Sequence, residues 1–411
     1  MHRPALGRGE QLLLLLAGMV FASLVASPDA AAGGECPRFA SGSRGLPTVG
    51  EWRTHPAVAD VNGDGKPDIA ALARKVVGPT VWLGDGKGTW KPASTGLLVP
   101  EGTCGVGVDL ADVNEDGKLD LGVADHCQGL FVFLGDGKGV WKLGPTVTRE
   151  LGRGYEDMAF TDLNRDGHVD LVAISSTRDG LVAYLGDGQG RWKLADVGLP
   201  DSGSGADLKV GDLNGDGRPD IAATFVAAGQ GSKLPPESSS NVVWLSQPSG
   251  RFEPSSRGIP NDAKWWGVAL GDVNGDGWLD VALSSDYWPD RPPLLVYLGD
   301  GGTSWKPAVE GLPTPNDGLL FEGLELADID GDRHLDLIAV SHMDAGIRVW
   351  MGDGQGKWRE CKDTGLPEGR ATLRGWGLAV QDLNGDQRPD LVVGVGREGK
   401  GGLEVWFNRK R

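Results

Sequence analysis

The residues best suited to chemistry in this chain are aspartates in seven copies of one nine-residue pattern, D-x-[ND]-x-D-x-x-x-D. The copies begin at Asp60, Asp112, Asp162, Asp212, Asp272, Asp328 and Asp382. Oxygen side chains at positions 1, 3, 5 and 9 suit a hard cation such as Ca²⁺, with the backbone carbonyl of position 7 as a further ligand. Glycine, usual at position 6, permits the sharp turn that aims these oxygens inward. The pattern therefore predicts up to seven calcium sites.

An EF-hand is the obvious competing interpretation, and the chain does not fit it. An EF-hand loop places a bidentate Glu at position 12. Position 12 here is always apolar: Ala71, Val123, Ala173, Ala223, Leu283, Ala339 and Val393. These residues lie in short runs rich in Val, Leu and Ile, which are typical of β-strands.

The predicted calcium ligands are the residues at positions 1, 3, 5, 7 and 9 of each copy. They are Asp60, Asn62, Asp64, Lys66, Asp68, Asp112, Asn114, Asp116, Lys118, Asp120, Asp162, Asn164, Asp166, His168, Asp170, Asp212, Asn214, Asp216, Arg218, Asp220, Asp272, Asn274, Asp276, Trp278, Asp280, Asp328, Asp330, Asp332, His334, Asp336, Asp382, Asn384, Asp386, Arg388 and Asp390. Arg333 and Gln387 replace the position-6 glycine, so calcium in copies six and seven is left open.

The overall charge agrees with cation binding. The 411 residues include 40 Lys and Arg against 57 Asp and Glu, which gives a net charge of −17 and a pI near 4.8. This balance disfavours a nucleic-acid or anionic-membrane partner, because both need an electropositive surface. The seven copies hold 22 of the carboxylates, which repel one another unless a cation is bound. Seven Ca²⁺ ions would bring the net charge from −17 to −3.

The repeat predicts an all-β fold, a seven-bladed β-propeller of four-stranded blades. The copies recur every 50 to 60 residues, and the first six are each flanked by four short strand-like runs. Trp192 and the tryptophans at equivalent blade positions are interpreted as packing residues. The predicted propeller spans 33–411, with blades at about 48–99, 100–150, 151–200, 201–259, 260–313, 314–367 and 368–411 plus 36–47.

Ring closure is predicted from the two ends of the chain. The last copy lacks a fourth strand, because the chain stops at Arg411. Phe39 precedes Gly45-Leu46-Pro47 at the offset that separates Trp192 from Gly198-Leu199-Pro200. An N-terminal strand is therefore expected to complete the last blade, which removes the open edge of the ring.

The acidic loops and their approach strands, such as Trp376-Gly-Leu-Ala-Val-Gln before Asp382, resemble the FG-GAP/VCBS repeats of integrin α-subunit head propellers. The resemblance covers about residues 36–411. It implies calcium loops on one face of the ring, with ligands bound at the opposite face or between blades. One branch of this family includes fungal lectins that bind sugars between blades, so the resemblance implies a carbohydrate- or protein-binding module for adhesion or recognition.

The N-terminus and the cysteines indicate export. Residues 1–32 combine basic residues, an apolar run from Leu12 to Ala26 and small residues near Ala32, which is typical of a secretory signal peptide. The run is short for a membrane anchor, and the rest of the chain holds no other candidate. A secreted or periplasmic protein is therefore expected, with a Cys104–Cys127 disulfide. A Cys36–Cys361 pair is left open.

Residues outside the repeat pattern are candidates for ligand binding. The predicted rim, at the blade ends opposite the calcium loops, consists of Trp52, Trp265, Trp266, Trp288, Trp376, Tyr287 and Phe321. Flat aromatics stack on sugar rings, although Trp265, Trp266 and Trp376 could equally fill gaps between blades. The favoured partner is a glycan or an extracellular protein; its identity and the oligomeric state are not predicted.

Catalysis has weaker support. The chain lacks GxSxG, HExxH and glycine-rich phosphate-loop motifs. His126, His342 and Asp286 hold equivalent places in three blades and could meet near the central axis, where they could ligate a metal or move protons. A polysaccharide lyase or hydrolase, or a purely structural extracellular protein, therefore stays as an alternative.

Overall fold

Seven β-sheets repeat one element order along the chain and make up an all-β, seven-bladed propeller. The structure is a computed structural model, and it describes residues 34–74, 78–99, 104–145, 147, 153–177, 179–226, 241–260, 265–285, 291–341, 346–368, 375–397 and 400–409. Contacts group Ala32–Arg411 into one compact unit. The predicted signal peptide, residues 1–32, lies outside the described residues.

Each blade is an antiparallel sheet whose strands run outward in chain order. Blade one has β3 (Ala57–Ala59), β4 (Asp68–Ala71), β5 (Thr80–Gly84) and β6 (Trp90–Pro92). Blade two has β7 (Val106–Ala111), β8 (Asp120–Asp125), β9 (Gly129–Gly135) and β10 (Trp141–Leu143), with β2 (Thr54–His55) added in parallel to β7. Blade three has β11 (Tyr155–Thr161), β12 (Asp170–Ser175), β13 (Leu181–Gly186) and β14 (Trp192–Leu194).

The next three blades have the same construction. Blade four has β15 (Ser204–Gly211), β16 (Asp220–Val226), β17 (Val243–Ser246) and β18 (Phe252–Pro254). Blade five has β19 (Val268–Gly271), β20 (Asp280–Ser284), β21 (Leu294–Gly299) and β22 (Trp305–Pro307). Blade six has β23 (Gly323–Ala327), β24 (Asp336–Val340), β25 (Ile347–Gly352) and β26 (Trp358–Glu360), preceded by a 3₁₀ turn at Pro315–Asp317.

The last blade closes the ring, as the sequence predicts. Blade seven has β27 (Gly375–Gln381), β28 (Asp390–Arg397) and β29 (Lys400–Arg409), and the N-terminal β1 (Arg38–Ser41) is its outer strand. β1 pairs antiparallel with β29, from Arg38 opposite Arg409 to Ser41 opposite Trp406. The inner strands of neighbouring blades contact one another around the ring, and β27 returns to β3.

The hydrophobic core lies between blades. Seven clusters of buried residues occur in the described structure, and each draws from two neighbouring blades. The cluster between blades six and seven joins Ile338 and Val340 to Leu391 and Val393. Strands buried on both faces explain why the second-strand sequences are almost continuously apolar.

Two disulfides support the ring. Cys104 bonds Cys127 within blade two, as predicted. Cys36 bonds Cys361, which settles the pairing that the sequence leaves open. Because Cys36 precedes β1 and Cys361 follows β26, this bond fastens the closing strand of blade seven to blade six. The described residues include no free cysteine.

Candidate functional site

The seven acidic loops connect the first and second strands of their blades and share one hydrogen-bond pattern. In loop one the Gly65 amide donates to Asp60 Oδ2 at 2.7 Å, and the Asp64 amide donates to Asn62 Oδ1 at 2.9 Å. The position-6 amide makes the same bond to the position-1 carboxylate in all seven loops. These bonds turn the side-chain oxygens of positions 1, 3 and 5 toward the interior of the loop.

Loops six and seven keep this backbone despite their substitutions. Arg333 and Gln387 adopt φ values of 73° and 64°, in the left-handed region that Gly65 occupies at 80°. Their amides bond the position-1 carboxylates at 2.9 and 2.7 Å. The missing glycine therefore does not change the backbone turn at position 6. Loop seven differs in one side chain, because the Asn384 side-chain amide donates to Asp390.

The position-9 aspartates anchor the loops to the blades. Each begins a second strand and is fully buried. Asp68 accepts the Val61 amide on one carboxylate oxygen at 2.9 Å and the Gly84 amide on the other at 2.8 Å. Burial, together with the neighbouring loop carboxylates, raises the pKa of the position-9 aspartate in each loop. The pKa is raised to about 6 for Asp68, Asp120, Asp170, Asp220 and Asp280, to about 7 for Asp390 and to about 8 for Asp336.

The loop residues fit a hard cation. Carboxylate oxygens of Asp328, Asp330 and Asp332 lie within 4.8 Å of one another. Each oxygen of Asp68 accepts one amide and keeps a second lone pair. In loop seven Asp390 Oδ2 accepts both the Leu383 amide and the Asn384 side-chain amide. The donors are oxygens throughout, which suits Ca²⁺ and not a metal that prefers sulfur or nitrogen.

Part of the predicted aromatic rim is wrong, because three of its members are core residues. Trp52, Trp265 and Phe321 are 5%, 1% and 0% exposed. The Trp52 ring packs 5.3 Å from that of Trp82, and Phe321 meets Trp350 edge-on at 5.5 Å. A side chain without an exposed face cannot stack on a ligand, so these three fill space between strands and blades.

The rest of the rim stays a prediction. Trp266 is half-buried, and its backbone carbonyl accepts a hydrogen bond from Thr224. Tyr287, Trp288 and the side chain of Trp376 lie outside the described part of the structure.

Replacement of Trp265 by Ala is expected to lower stability. Truncation of a fully buried Trp costs about 3–5 kcal/mol of unfolding free energy, because it removes apolar contacts and leaves a cavity. Trp278→Ala, at a residue 36% exposed, is the matched control and is expected to cost less than about 1 kcal/mol. Urea unfolding measures both. A fully stable Trp265→Ala protein would contradict the packing role.

His126 belongs to an ion-pair group. Its Nδ1 contacts the Glu156 carboxylate, which also pairs with Arg53. Burial opposes the charged form of Glu156, but Arg53 and His126 outweigh it and lower the pKa of this carboxyl. Asp286 and His342 lie outside the described residues, so the suggested grouping with His126 stays a prediction.

Blade three has a cleft at its outer edge, where the described structure lacks a hydrogen bond that four other blades share. In four blades the aromatic that opens the outer strand donates its indole N–H to a carbonyl of the preceding blade, at 2.7–3.0 Å. These are Trp90 to Gly42, Trp141 to Ala93, Trp305 to Ser255 and Trp358 to Ala308. Trp192, in the same position of blade three, is only half-buried. Its indole nitrogen has no hydrogen-bond partner among the described residues.

One residue in blade two explains the opening. Outer segments of six blades place a positive-φ glycine against the aromatic of the next blade: Gly45, Gly96, Gly198, Gly258, Gly311 and Gly365. A Cβ on Gly96 would lie 2.1 Å from the Trp141 carbonyl oxygen, so only glycine permits this approach. Blade two has Val147 where Gly96 stands in blade one. Val147 therefore cannot make the close approach to the Trp192 backbone that glycine makes in the other six contacts.

The cleft has a volume of about 580 Å³ and a mixed lining. Trp192 stacks on Phe160 with ring centroids 6.1 Å apart and planes inclined by 16°. Tyr155 and Tyr184 line the cleft, with an Arg153–Asp179 ion pair at 2.9 Å. The remaining lining residues are Val147, Val182, Lys193, Leu194, Asp196 and Asp201. The sequence interpretation counted Trp192 as packing and missed this cleft; Val147 was the available signal.

The chain belongs to the FG-GAP-like repeat family. The family matches residues 60–123, 112–173, 162–223, 225–283 and 328–393, and the related FG-GAP repeat matches residues 265–305. Integrin alpha-7 of Homo sapiens is 28% identical over 141 residues, and that of Mus musculus is 35% identical over 142. Each alignment covers 31% of this chain and 12% of the integrin, so the chain matches a small part of these relatives.

Solved structures share the propeller fold at low sequence identity. BBS1N in complex with ARL6DN has a TM-score of 0.53 and 13% identity, over 92% of this chain and 98% of the other. An Agrocybe aegerita lectin that recognises non-reducing terminal N-acetylglucosamine has a TM-score of 0.50 and 20% identity, over 78% and 85%. The protein is thus an integrin-like FG-GAP propeller. Its disulfides fit an extracellular or other non-cytoplasmic location.

The described residues include no helix with the length and hydropathy needed to cross a membrane.

Proposed function

We propose that this chain is a secreted, calcium-stabilised recognition module that binds a glycan in the cleft between blades two and three. The observation that carries the proposal is the half-buried Trp192 at the one outer-strand contact where Val147 replaces the closing glycine. At the other six contacts a glycine lets the outer segment pack tightly on the next blade. At the contact with Val147, a cleft lined by aromatic residues is left open.

The cleft is lined by the kinds of side chain that bind sugars, a flat aromatic ring and polar groups. A pyranose ring presents an apolar C–H face, which stacks on a flat aromatic, and hydroxyls, which need donors and acceptors around its edge. Trp192 provides the flat surface, while Arg153, Asp179 and Asp201 provide polar groups. The cleft, at about 580 Å³, has room for a mono- or disaccharide.

Calcium is proposed as a structural partner of this module. The loop aspartates and asparagines, with the position-7 carbonyls, would hold up to seven ions. Bound Ca²⁺ would neutralise the 22 clustered carboxylates and hold the first and second strands of each blade together. The loops follow first strands, whereas the cleft lies along outer strands, so the ions support the scaffold of the cleft without lining it.

A glycan array tests the function. Tag-free mature protein, loaded with calcium, would be applied to an array that includes glycans with terminal N-acetylglucosamine, the sugar recognised by the Agrocybe aegerita lectin. We expect discrete hits that an EDTA-treated sample loses. A blank array with folded, calcium-loaded protein would contradict glycan binding and favour a protein ligand, to be sought by pull-down from secreted proteins.

Replacement of Trp192 by Ala is expected to weaken glycan binding by about 5- to 150-fold, because loss of a stacking aromatic removes on the order of 1–3 kcal/mol of binding free energy. Isothermal titration with the strongest array ligand measures the change. Trp278→Ala, another partly exposed Trp on the calcium loops, is the matched control and should bind as wild type. Equal affinity of Trp192→Ala and wild type would place the ligand elsewhere.

A further inference from the structure

The central channel of the propeller contains a second group of polar side chains, separate from the acidic loops and the cleft. Inner strands of blades one, two, three, four, six and seven line a cavity of about 370 Å³. His55, which is in β2, and Asp157, which is in β11, line the cavity. Asp207, which is in β15, lies beside them but behind the lining. The rest of the inner lining is mostly apolar, with Val58, Val108 and Val380 among its residues.

Asp207 presents a buried oxygen with no hydrogen-bond partner. Its side chain is only 3% exposed. Oδ2 accepts the Val268 amide at 2.9 Å, but Oδ1 has no hydrogen-bond partner among the described residues. His55 Nδ1 lies 3.7 Å from this oxygen, beyond hydrogen-bond distance. An unsatisfied buried carboxylate oxygen is costly, so a missing positive partner is expected here.

The other charged groups of the channel are already engaged. Lys209 Nζ pairs with Glu325 Oε1 at 2.7 Å, across from blade four to blade six. The Asp109 carboxylate accepts the Phe160 and Leu110 amides. Lys209 also attracts the Asp157 and Asp207 carboxylates, but its hydrogen bond is made to Glu325. The nitrogen donor that faces the Asp157–Asp207 pair is the His55 imidazole. Two adjacent buried carboxylates favour a proton or a cation between them.

We propose that His55, Asp157 and Asp207 bind one divalent metal ion of the zinc class in the central channel. One donor atom from each residue lies within 4.8 Å of the other two. Ligands on a tetrahedral zinc, at about 2.0–2.1 Å from the metal, are about 3.3 Å apart, so a small inward movement brings the three donors to bonding distance. Bound metal would take up the unpaired Asp207 oxygen.

The donor set separates this site from the calcium loops. A nitrogen with two carboxylates suits Zn²⁺, Co²⁺ or Mn²⁺, whereas the loops offer oxygens alone. Thiolates cannot compete, because all four cysteines are in disulfides. Three protein ligands leave a coordination position open toward the channel, where water or a small anion can bind.

The test measures zinc and cobalt binding by tag-free protein held in excess calcium. In that calcium buffer, equilibrium dialysis against ZnCl₂ is expected to give one zinc per chain. CoCl₂ in place of ZnCl₂ is expected to give the visible absorption bands of a nitrogen-ligated site. His55→Ala should weaken zinc binding by more than about tenfold and abolish the bands. Asp207→Asn, which keeps the acceptor for the Val268 amide, should weaken it similarly.

A matched variant distinguishes the channel from surface histidines. The predicted calcium contact of His168 is its backbone carbonyl, which His168→Ala keeps. The substitution removes only an exposed imidazole that contacts Glu115, so zinc binding should be unchanged. Circular dichroism verifies that each variant is folded. Wild-type protein that binds no zinc, or folded His55→Ala and Asp207→Asn proteins that bind it as wild type does, would overturn the proposal. In that case the two carboxylates share a proton instead.

Discussion

Removal of calcium with EDTA is expected to lower the melting temperature of the mature protein by more than about 10 °C. An ion at 100 times its dissociation constant stabilises the folded state by about 2.7 kcal/mol per site, and the chain has seven loops. Removal also leaves three or four mutually repelling carboxylates in every loop. Differential scanning calorimetry with excess EDTA and with excess CaCl₂ measures the shift.

Two controls make the calcium result specific. NaCl at the same ionic strength should not restore the melting temperature, because the proposed stabilisation comes from ligation of a hard cation and not from charge screening. The double change Asp60→Ala with Asp64→Ala should reduce bound calcium by one ion per chain. Asp85→Ala, in the Gly-Asp-Gly turn of the same blade, should leave the calcium count unchanged. A melting temperature insensitive to EDTA would contradict the metal assignment for all seven loops.

Removal of the Cys36–Cys361 bond is expected to cost about 2–5 kcal/mol of unfolding free energy. This disulfide joins residues 325 apart, whereas Cys104 and Cys127 are 23 apart. In the chain-entropy account a longer closed loop restricts the unfolded chain more, by about 2 kcal/mol for this pair of lengths. Urea unfolding of Cys36→Ser with Cys361→Ser should therefore show a larger loss than Cys104→Ser with Cys127→Ser.

The comparison between the two disulfides also tests ring closure. β1 is held to β29 by backbone pairing, and the disulfide adds a covalent tie to blade six. Loss of the tie should leave the strand attached but easier to release, which limited proteolysis near Phe39 would detect. Equal destabilisation by the two double variants would show that strand pairing alone closes the ring.

The fold could be predicted because the same loop and strand pattern occurs seven times in the sequence. Spacing of the acidic loops, apolar second strands and the missing fourth strand of the last copy led to a closed seven-bladed ring, which the structure confirms. The Cys36–Cys361 pair could not be settled from sequence, because it depends on how far the outer strands of two blades lie from each other. In the structure their Cα atoms are 5.5 Å apart.

The candidate binding site could be predicted only in part. Residue type does not report burial, so Trp52, Trp265 and Phe321 were placed on a rim although they lie in the core. Trp192 was assigned to packing because its equivalents in other blades pack. The local cause of its exposure is a valine in a neighbouring blade, at a position where the repeat needs glycine. The effect of this valine can be recognised only when the contact between the two blades is known.

The most direct test of the recognition function is the position of a bound ligand. We would determine a crystal structure of the calcium-loaded protein with its strongest array oligosaccharide. We expect one sugar stacked on Trp192 in the cleft between blades two and three, with the six glycine-closed contacts empty. Sugar bound at another surface, or repeated at several contacts between blades, would contradict this expectation.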